Sequence, residues 1–179
     1  MNTSERAGWL IPDTEPVYDE VVERLCSQWL RGVSGLPNGM VRPRWTPVLA
    51  AQPPADTDWC GFGITEIPAD DNPAFANQTD QSDELWRHED FECSASFYGP
   101  HSQGYASRFR DGLSVSQNNA EFNQLGLSVV KHSRITSFPE LINNQWVRRY
   151  DITVTLRRKV VRRYSIKSLT DAPVKFFGD

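Results

Sequence analysis

Apolar residues recur at three- and four-residue spacing near the start of the chain, with mostly polar residues between them. This stripe consists of Val17, Val21, Val22, Leu25, Trp29 and Leu30. The spacing predicts an amphipathic helix over about 14–31 that lies on a sheet. Asp13 or Thr14 is expected to cap the start of this helix, and Gly32 and Gly35 to end it.

A second helical pattern follows a Gly-Pro turn in the middle of the chain. The residues on its apolar face are Tyr105, Ala106, Phe109 and Leu113. We expect a helix over about 103–117, with Ser102 as its cap. A short helical turn is expected at 120–125, ahead of Gly126.

Several segments carry strand patterns. They are 41–46, 59–67, 85–98, 127–138 and 145–164, the last two joined by a turn at 139–144. Alternation is clearest where Phe91, Cys93, Ala95 and Phe97 share one face, as in a half-buried strand. Pro43 lacks a ladder donor, so its strand is expected at a sheet edge.

The acidic segment 69–83 has no apolar period and is expected to be an exposed loop. Together the patterns predict a single α+β domain over 14–164. We expect a mostly antiparallel, twisted sheet with two helices packed on one face. Residues 1–13 and 165–179 are expected to form extended arms.

Length and composition fit one cytoplasmic domain. The chain has 179 residues, enough for a core without disulfides or metals. Its first residues lack the layout of a signal peptide, and no apolar run is long enough for a membrane span. Cys26, Cys60 and Cys93 are odd in number and widely spaced, so we expect buried structural thiols.

Charge is distributed unevenly along the chain. Residues 1–92 carry 17 acidic and 6 basic side chains, a net −11, whereas 93–179 carry 6 and 13, a net +7. In a ring or a stack of rings of identical subunits, an acidic face can meet a basic face on the next copy and fix the register.

The sequence offers little that resembles catalytic chemistry. It has none of the nucleophile-elbow, phosphate-loop, dinucleotide or zinc-protease motifs. Gly61-Phe62-Gly63 lies inside an apolar strand, which favours packing over nucleotide binding. His88-Glu89-Asp90 could supply a base or metal ligands, but neighbours on a strand point to alternate faces. We therefore expect no enzyme, no cofactor and no metal.

A basic stretch near the C-terminus is the main candidate for binding. Three interpretations are open: pairing with the acidic half of a neighbouring subunit, non-specific contact with DNA, and a solvated strand. The sequence pI of about 5.4 argues against a dedicated DNA-binding protein. The residues predicted at the subunit interface are Arg148, Arg149, Arg157, Arg158, Arg162, Arg163, Phe176, Phe177, Asp70 and Asp71.

An ordered set of segments resembles the neck terminator proteins of tailed bacteriophages, over about residues 14–165. These segments are Val41-Arg42-Pro43-Arg44-Trp45, Pro53-Pro54, Asp58-Trp59-Cys60-Gly61-Phe62-Gly63-Ile64, Ser96-Phe97-Tyr98-Gly99-Pro100, Arg110-Asp111-Gly112-Leu113 and Gln117-Asn118. The resemblance implies a structural α/β subunit of the virion, without catalytic residues.

The resemblance also implies how such a subunit works. It would form a homo-oligomeric ring of about six copies, or twelve, at the neck. The ring would terminate the tail tube and join it to the head-side connector, while genomic DNA passes through without specific binding. A head-completion, collar or tail-completion subunit is an alternative within this class. An intracellular enzyme or a nucleic-acid-binding module would belong to other classes.

Overall fold

The fold is described from a computed structural model that covers residues 2–48 and 50–167. These residues form two compact units. The larger unit comprises Val17–Pro68 and Glu89–Arg158, and the smaller unit comprises the described parts of Met1–Pro16, Ala69–His88 and Lys159–Asp179.

Three helices and nine strands lie within the described residues, and the fold class is α+β, as predicted. The helices are α1 Glu20–Ser34, α2 Ser102–Gly112 and α3 Ser116–Gln124. The strands are β1 Val41–Pro43, β2 Trp59–Glu66, β3 Ala74–Ala76, β4 Asp83–Tyr98, β5 Leu127–His132, β6 Thr136–Ser137, β7 Glu140–Ile142, β8 Gln145–Val147 and β9 Arg149–Tyr164. No helix in this part of the chain has the length and apolar composition needed to cross a membrane.

The sheet of the larger unit has the strand order β1-β2-β4-β9-β5. The β1–β2 pair is parallel, and the β2–β4 and β5–β9 pairs are antiparallel. The short strand that ends in Pro43 lies at one edge, as predicted. At the other edge, the register of β5 shifts between Val129 and Lys131. Proline, a bulge and a lysine each discourage further strand pairing at an edge.

One face of this sheet forms the core with the helices, which confirms the predicted packing. Its fully buried members include Leu30, Phe62, Phe97, Phe109, Val154 and Leu156. In this core the Trp29 ring stacks on Phe122 at 4.6 Å between ring centroids and meets Phe109 edge-on at 5.1 Å. Aromatic pairs in these geometries stabilise the fold beyond the effect of their buried area.

The first helix begins later than predicted. In the smaller unit, Asp13 N–H donates to the Arg163 carbonyl at 2.7 Å, and Thr14 Oγ1 accepts from Arg163 N–H at 3.0 Å. The predicted caps are therefore wrong, because both residues bond to the end of β9 instead. Gly35 does end α1, in the left-handed conformation with φ 75°, whereas Gly32 lies inside the helix.

The second helix is shorter than predicted, and the helical turn after it is a full helix. Ser102 is not the cap, because its hydroxyl donates to the Gly99 carbonyl at 2.7 Å. The helical segment is interrupted between α2 and α3, where two asparagine side chains donate hydrogen bonds to carbonyls at the end of α2. Asn118 Nδ2 donates to Gly112 O at 2.9 Å, and Asn119 Nδ2 donates to Leu113 O at 3.0 Å.

The two long strands predicted near the C-terminus are interrupted. Between β5 and β9 the chain forms the short strand β6 and a separate hairpin, β7–β8. Asn143 and Asn144 form its two-residue turn with φ 48° and 63°, as a type I′ turn requires. The prediction of one continuous strand over 145–164 is wrong at Arg148, which separates β8 from β9.

The acidic segment 69–83 is not entirely a loop. It contains β3, which pairs antiparallel with β4 in the smaller unit. Two of the register pairs are Ala74 with Trp86 and Ala76 with Glu84. A strand of three residues is too short to show a hydrophobic period, so its pattern could not be distinguished from a loop.

Candidate interaction surfaces

The arginines of β9 in the larger unit are largely engaged within the subunit. Arg149 forms a two-point contact with Asp151 at 2.8 and 2.9 Å and a further one with Glu140 at 3.1 Å. Its guanidinium also lies over the Tyr98 ring, 5.6 Å from the centroid. The bonds to Asp151 raise the pKa of Arg149 further, so it stays a cation. This geometry fixes the start of β9.

Two consecutive residues of β9 pair with two consecutive residues of β4. Arg157 contacts both carboxylate oxygens of Asp90, at 2.6 and 2.9 Å, at the surface. Arg158 donates to one Glu89 oxygen at 2.9 and 3.1 Å, and both side chains are buried. Arg158 also donates to the Val17 carbonyl.

The smaller unit contains a similar arrangement. Arg163 donates to Glu84 at 3.2 Å. Glu84 also accepts from Trp86 Nε1 at 3.0 Å and Asn77 Nδ2 at 2.7 Å. These bonds, led by that of Trp86, lower the pKa of Glu84. Arg162 is half-buried and also has an interaction partner. Part of the charge asymmetry of the sequence is thus neutralised inside one subunit.

The other residues predicted at the interface have different surroundings. Arg148 is exposed and donates one bond, to the Pro100 carbonyl at 3.2 Å. Asp71 is exposed, whereas Asp70 accepts from His88 N–H at 2.9 Å and lies 3.3 Å from its ring nitrogen. Phe176 and Phe177 lie outside the described residues. The described members of the predicted set are thus divided between the two units, and they include both exposed side chains and side chains bonded within the subunit.

A group of apolar side chains is exposed on and beside the β7–β8 hairpin. Leu141 and Trp146 are direct cross-strand partners, exposed to 55% and 73%, and Phe138 just before the hairpin is exposed to 55%. We call these three residues the hairpin surface. Neighbouring exposed apolar groups, such as the Leu141–Trp146 pair, commonly mark a protein-binding site.

A groove lies between α1 and α3 in the same unit. Its volume is about 320 Å³. Its apolar lining comprises Trp29, Val33, Phe122 and Leu125, with Gly32 among them and Glu121 at the polar rim. A Cβ placed on Gly32 would meet no atom within 4 Å. This α1–α3 groove is therefore open above the glycine.

The sequence predicts a turn at 139–144 and a continuous strand through Trp146, and it does not predict the separate β7–β8 hairpin that Asn143-Asn144 closes. The groove has no sequence signal of its own, because it depends on α3 packing against α1, about 90 residues away along the chain.

The residues considered for chemistry are structural or dispersed. Cys26, Cys60 and Cys93 are buried free thiols, as predicted. Burial raises the pKa of Cys60. His88 pairs with Asp70, while His101 Nδ1 lies 2.8 Å from Asp58 Oδ2. In the described part of the chain, no three His, Cys, Asp or Glu side chains are grouped so as to hold a metal ion.

Comparison with known proteins identifies the family of this chain. No curated protein matches the sequence. A family model described as phage neck terminator protein matches residues 20–179, which is most of the chain. This match confirms the resemblance seen in the sequence. The chain therefore belongs to the phage neck terminator family, a family of structural proteins of the phage neck.

Proposed function

We propose that this protein assembles into a ring at the neck of the virion, where it terminates the tail tube and joins it to the head-side connector. The observation that carries the proposal is the family match over residues 20–179. The ring would contain about six copies, or twelve, and would form after synthesis in the host cytoplasm. Its partners would be other copies of itself, the connector and the tail tube.

The ion pairs of β9 support a neck through which DNA passes without being held. Arg157, Arg158 and Arg163 are each bonded to a carboxylate of their own subunit. Phosphate binding depends on cationic groups that can replace counterions on the nucleic acid. An arginine bonded to a carboxylate contributes less to such a patch, so we propose that β9 stabilises the subunit and does not grip DNA.

The test is a phage genome with an early stop codon in this gene. Lysates examined by electron microscopy should contain DNA-filled heads without tails, and tail tubes of irregular length. Supplying the intact protein from a plasmid should restore joined particles. Normal virions in the absence of the protein would contradict the proposal.

The ring itself can be tested with the purified full-length chain. Mass photometry at rising protein concentration should show a closed species of one size, and negative-stain images should show rings. Open filaments of variable length would argue against a closed ring, because closure requires a fixed rotation between neighbours.

A further inference from the structure

We propose that the hairpin surface of one copy docks into the α1–α3 groove of the next copy. This inference rests on the proposed ring, for which it names the contact between subunits. The two patches lie on different parts of the same chain, so the contact is heterologous. Repeated contacts of that kind close into a ring when the rotation between copies is right.

The hairpin surface has the composition of a binding anchor. The Trp146 ring is exposed to 73% and sits directly across from exposed Leu141, on strands held by a two-residue turn. Tryptophan is enriched among the residues that dominate binding energy at interfaces. A hairpin closed by a two-residue turn restricts the backbone on either side of the ring, which lowers the conformational entropy lost on binding.

The groove suits an inserted aromatic side chain. At about 320 Å³ it is near the lower end of the range of cavities that hold small organic groups. Trp29 and Phe122 line it from the core and are only 7% and 2% exposed, so its accessible apolar wall is formed by Val33 and by Leu125, which is 44% exposed. Because Trp146 is largely exposed, it does not fill the groove of its own subunit, which leaves that groove free for another copy.

Charge at the borders of the two patches is complementary. Arg148 follows the hairpin immediately and is exposed, and Glu121 is an exposed residue at the rim of the groove. With Trp146 inserted, an arginine two residues further along can approach Glu121, which favours this orientation over its reverse. This retains Arg148 as an interface residue, as the sequence predicted.

Strand pairing between copies is a less suitable route to a ring. The edge strand β1 ends in Pro43, and the edge strand β5 carries a register shift and Lys131. Each of these features weakens addition of a further strand. A contact made by side chains, such as that between the hairpin surface and the α1–α3 groove, does not depend on these edges.

The decisive variant is Gly32→Leu, since a leucine at this position would fill the groove. The glycine lies within α1 and has open space where a side chain would extend, so the subunit should fold with an unchanged or higher Tm. The matched control is Gly104→Leu in α2, where a Cβ also meets nothing within 4 Å. Gly104 does not line the groove.

Mass photometry of both variants gives the first readout. Gly32→Leu and Trp146→Ser should each weaken assembly by about 30-fold or more in concentration, as expected for loss of an interface anchor. Gly104→Leu should assemble like the unmodified chain. If Gly32→Leu forms rings at unchanged concentration, the docking proposal is wrong and the ring proposal stands.

Cross-linking covers the case in which the purified chain stays monomeric. Arg148→Cys and Glu121→Cys proteins, which both keep Trp146, are mixed at high concentration under mild oxidation, each alone serving as control. A covalent dimer only in the mixture supports docking, and its absence overturns it. Rings of Gly32→Leu that fail to restore phage growth would assign the groove to another neck protein and also overturn self-docking. The stop-codon phage tests the proposed function separately.

Discussion

Replacing Glu89 by glutamine is expected to destabilise the protein by about 3–5 kcal/mol, the usual cost of breaking a buried ion pair. The side chains of Glu89 and Arg158 are only 11% and 8% exposed. The substitution leaves a largely buried guanidinium without its carboxylate partner, held over the rings of Tyr18 and Phe91 at 4.6 and 5.7 Å. For a chain of this size, such a loss corresponds to about 6–20 °C in Tm.

The neighbouring pair supplies the control. Asp90 and Arg157 make an equally close two-point contact, but their side chains are 25% and 49% exposed. Asp90→Asn is expected to cost about 0–1 kcal/mol, because water screens the pair and solvates whichever partner remains. The two substitutions are adjacent in β4 and remove the same charge, so their difference reports burial.

Urea unfolding followed by circular dichroism measures both losses, provided that the slopes with denaturant are unchanged. The double variant Glu89→Leu with Arg158→Met should recover most of the stability, since it removes both charges and keeps apolar volume. A loss below about 1 kcal/mol for Glu89→Gln, or equal losses for the two single variants, would refute the argument from burial.

Three further predictions can be checked with the same denaturation assay. Gly99→Ala should destabilise by about 1–3 kcal/mol, because Gly99 has φ 110° and a Cβ would lie 2.6 Å from a backbone oxygen; Gly104→Ala should instead stabilise by about 0.5–1 kcal/mol. Burial raises the pKa of the Cys60 thiol, which therefore stays protonated in the folded protein. Below the unfolded-state pKa of about 8.5 this has no effect on stability, whereas at higher pH the unfolded thiol ionises and the free energy of unfolding should fall. A thiol reagent should react with Cys60 only after unfolding. Phe97→Ala should cost about 3–5 kcal/mol, whereas Phe75→Ala, at a ring that is 59% exposed, should cost well under 1 kcal/mol.

The sequence predicted the elements in which the hydrophobic pattern is regular and extends over many residues. The alternation around Phe91 and Phe97 located β4, and Pro43 located an edge strand, because both signals are local consequences of backbone geometry. The family resemblance was also local, carried by short segments. These parts needed no knowledge of which elements become neighbours.

The features missed from sequence depend on distant partners. Thr14 was expected to cap α1 but bonds to Arg163, 149 positions along the chain. Likewise, Arg158 was expected at a surface and is buried against Glu89, 69 positions away. A side chain with several acceptors within reach takes the one that tertiary folding supplies, and a single sequence does not reveal which.

The two edges of the large sheet affect how free subunits behave before they assemble. Under the proposed function, many copies of the chain would be present together before the particle that receives them is complete. Because β1 ends in proline and β5 is bulged, neither offers the long, flat run of free backbone groups from which fibrils grow. In the ring proposed above, contacts between copies would come from side chains and not from added strands, so free subunits could accumulate without forming fibrils.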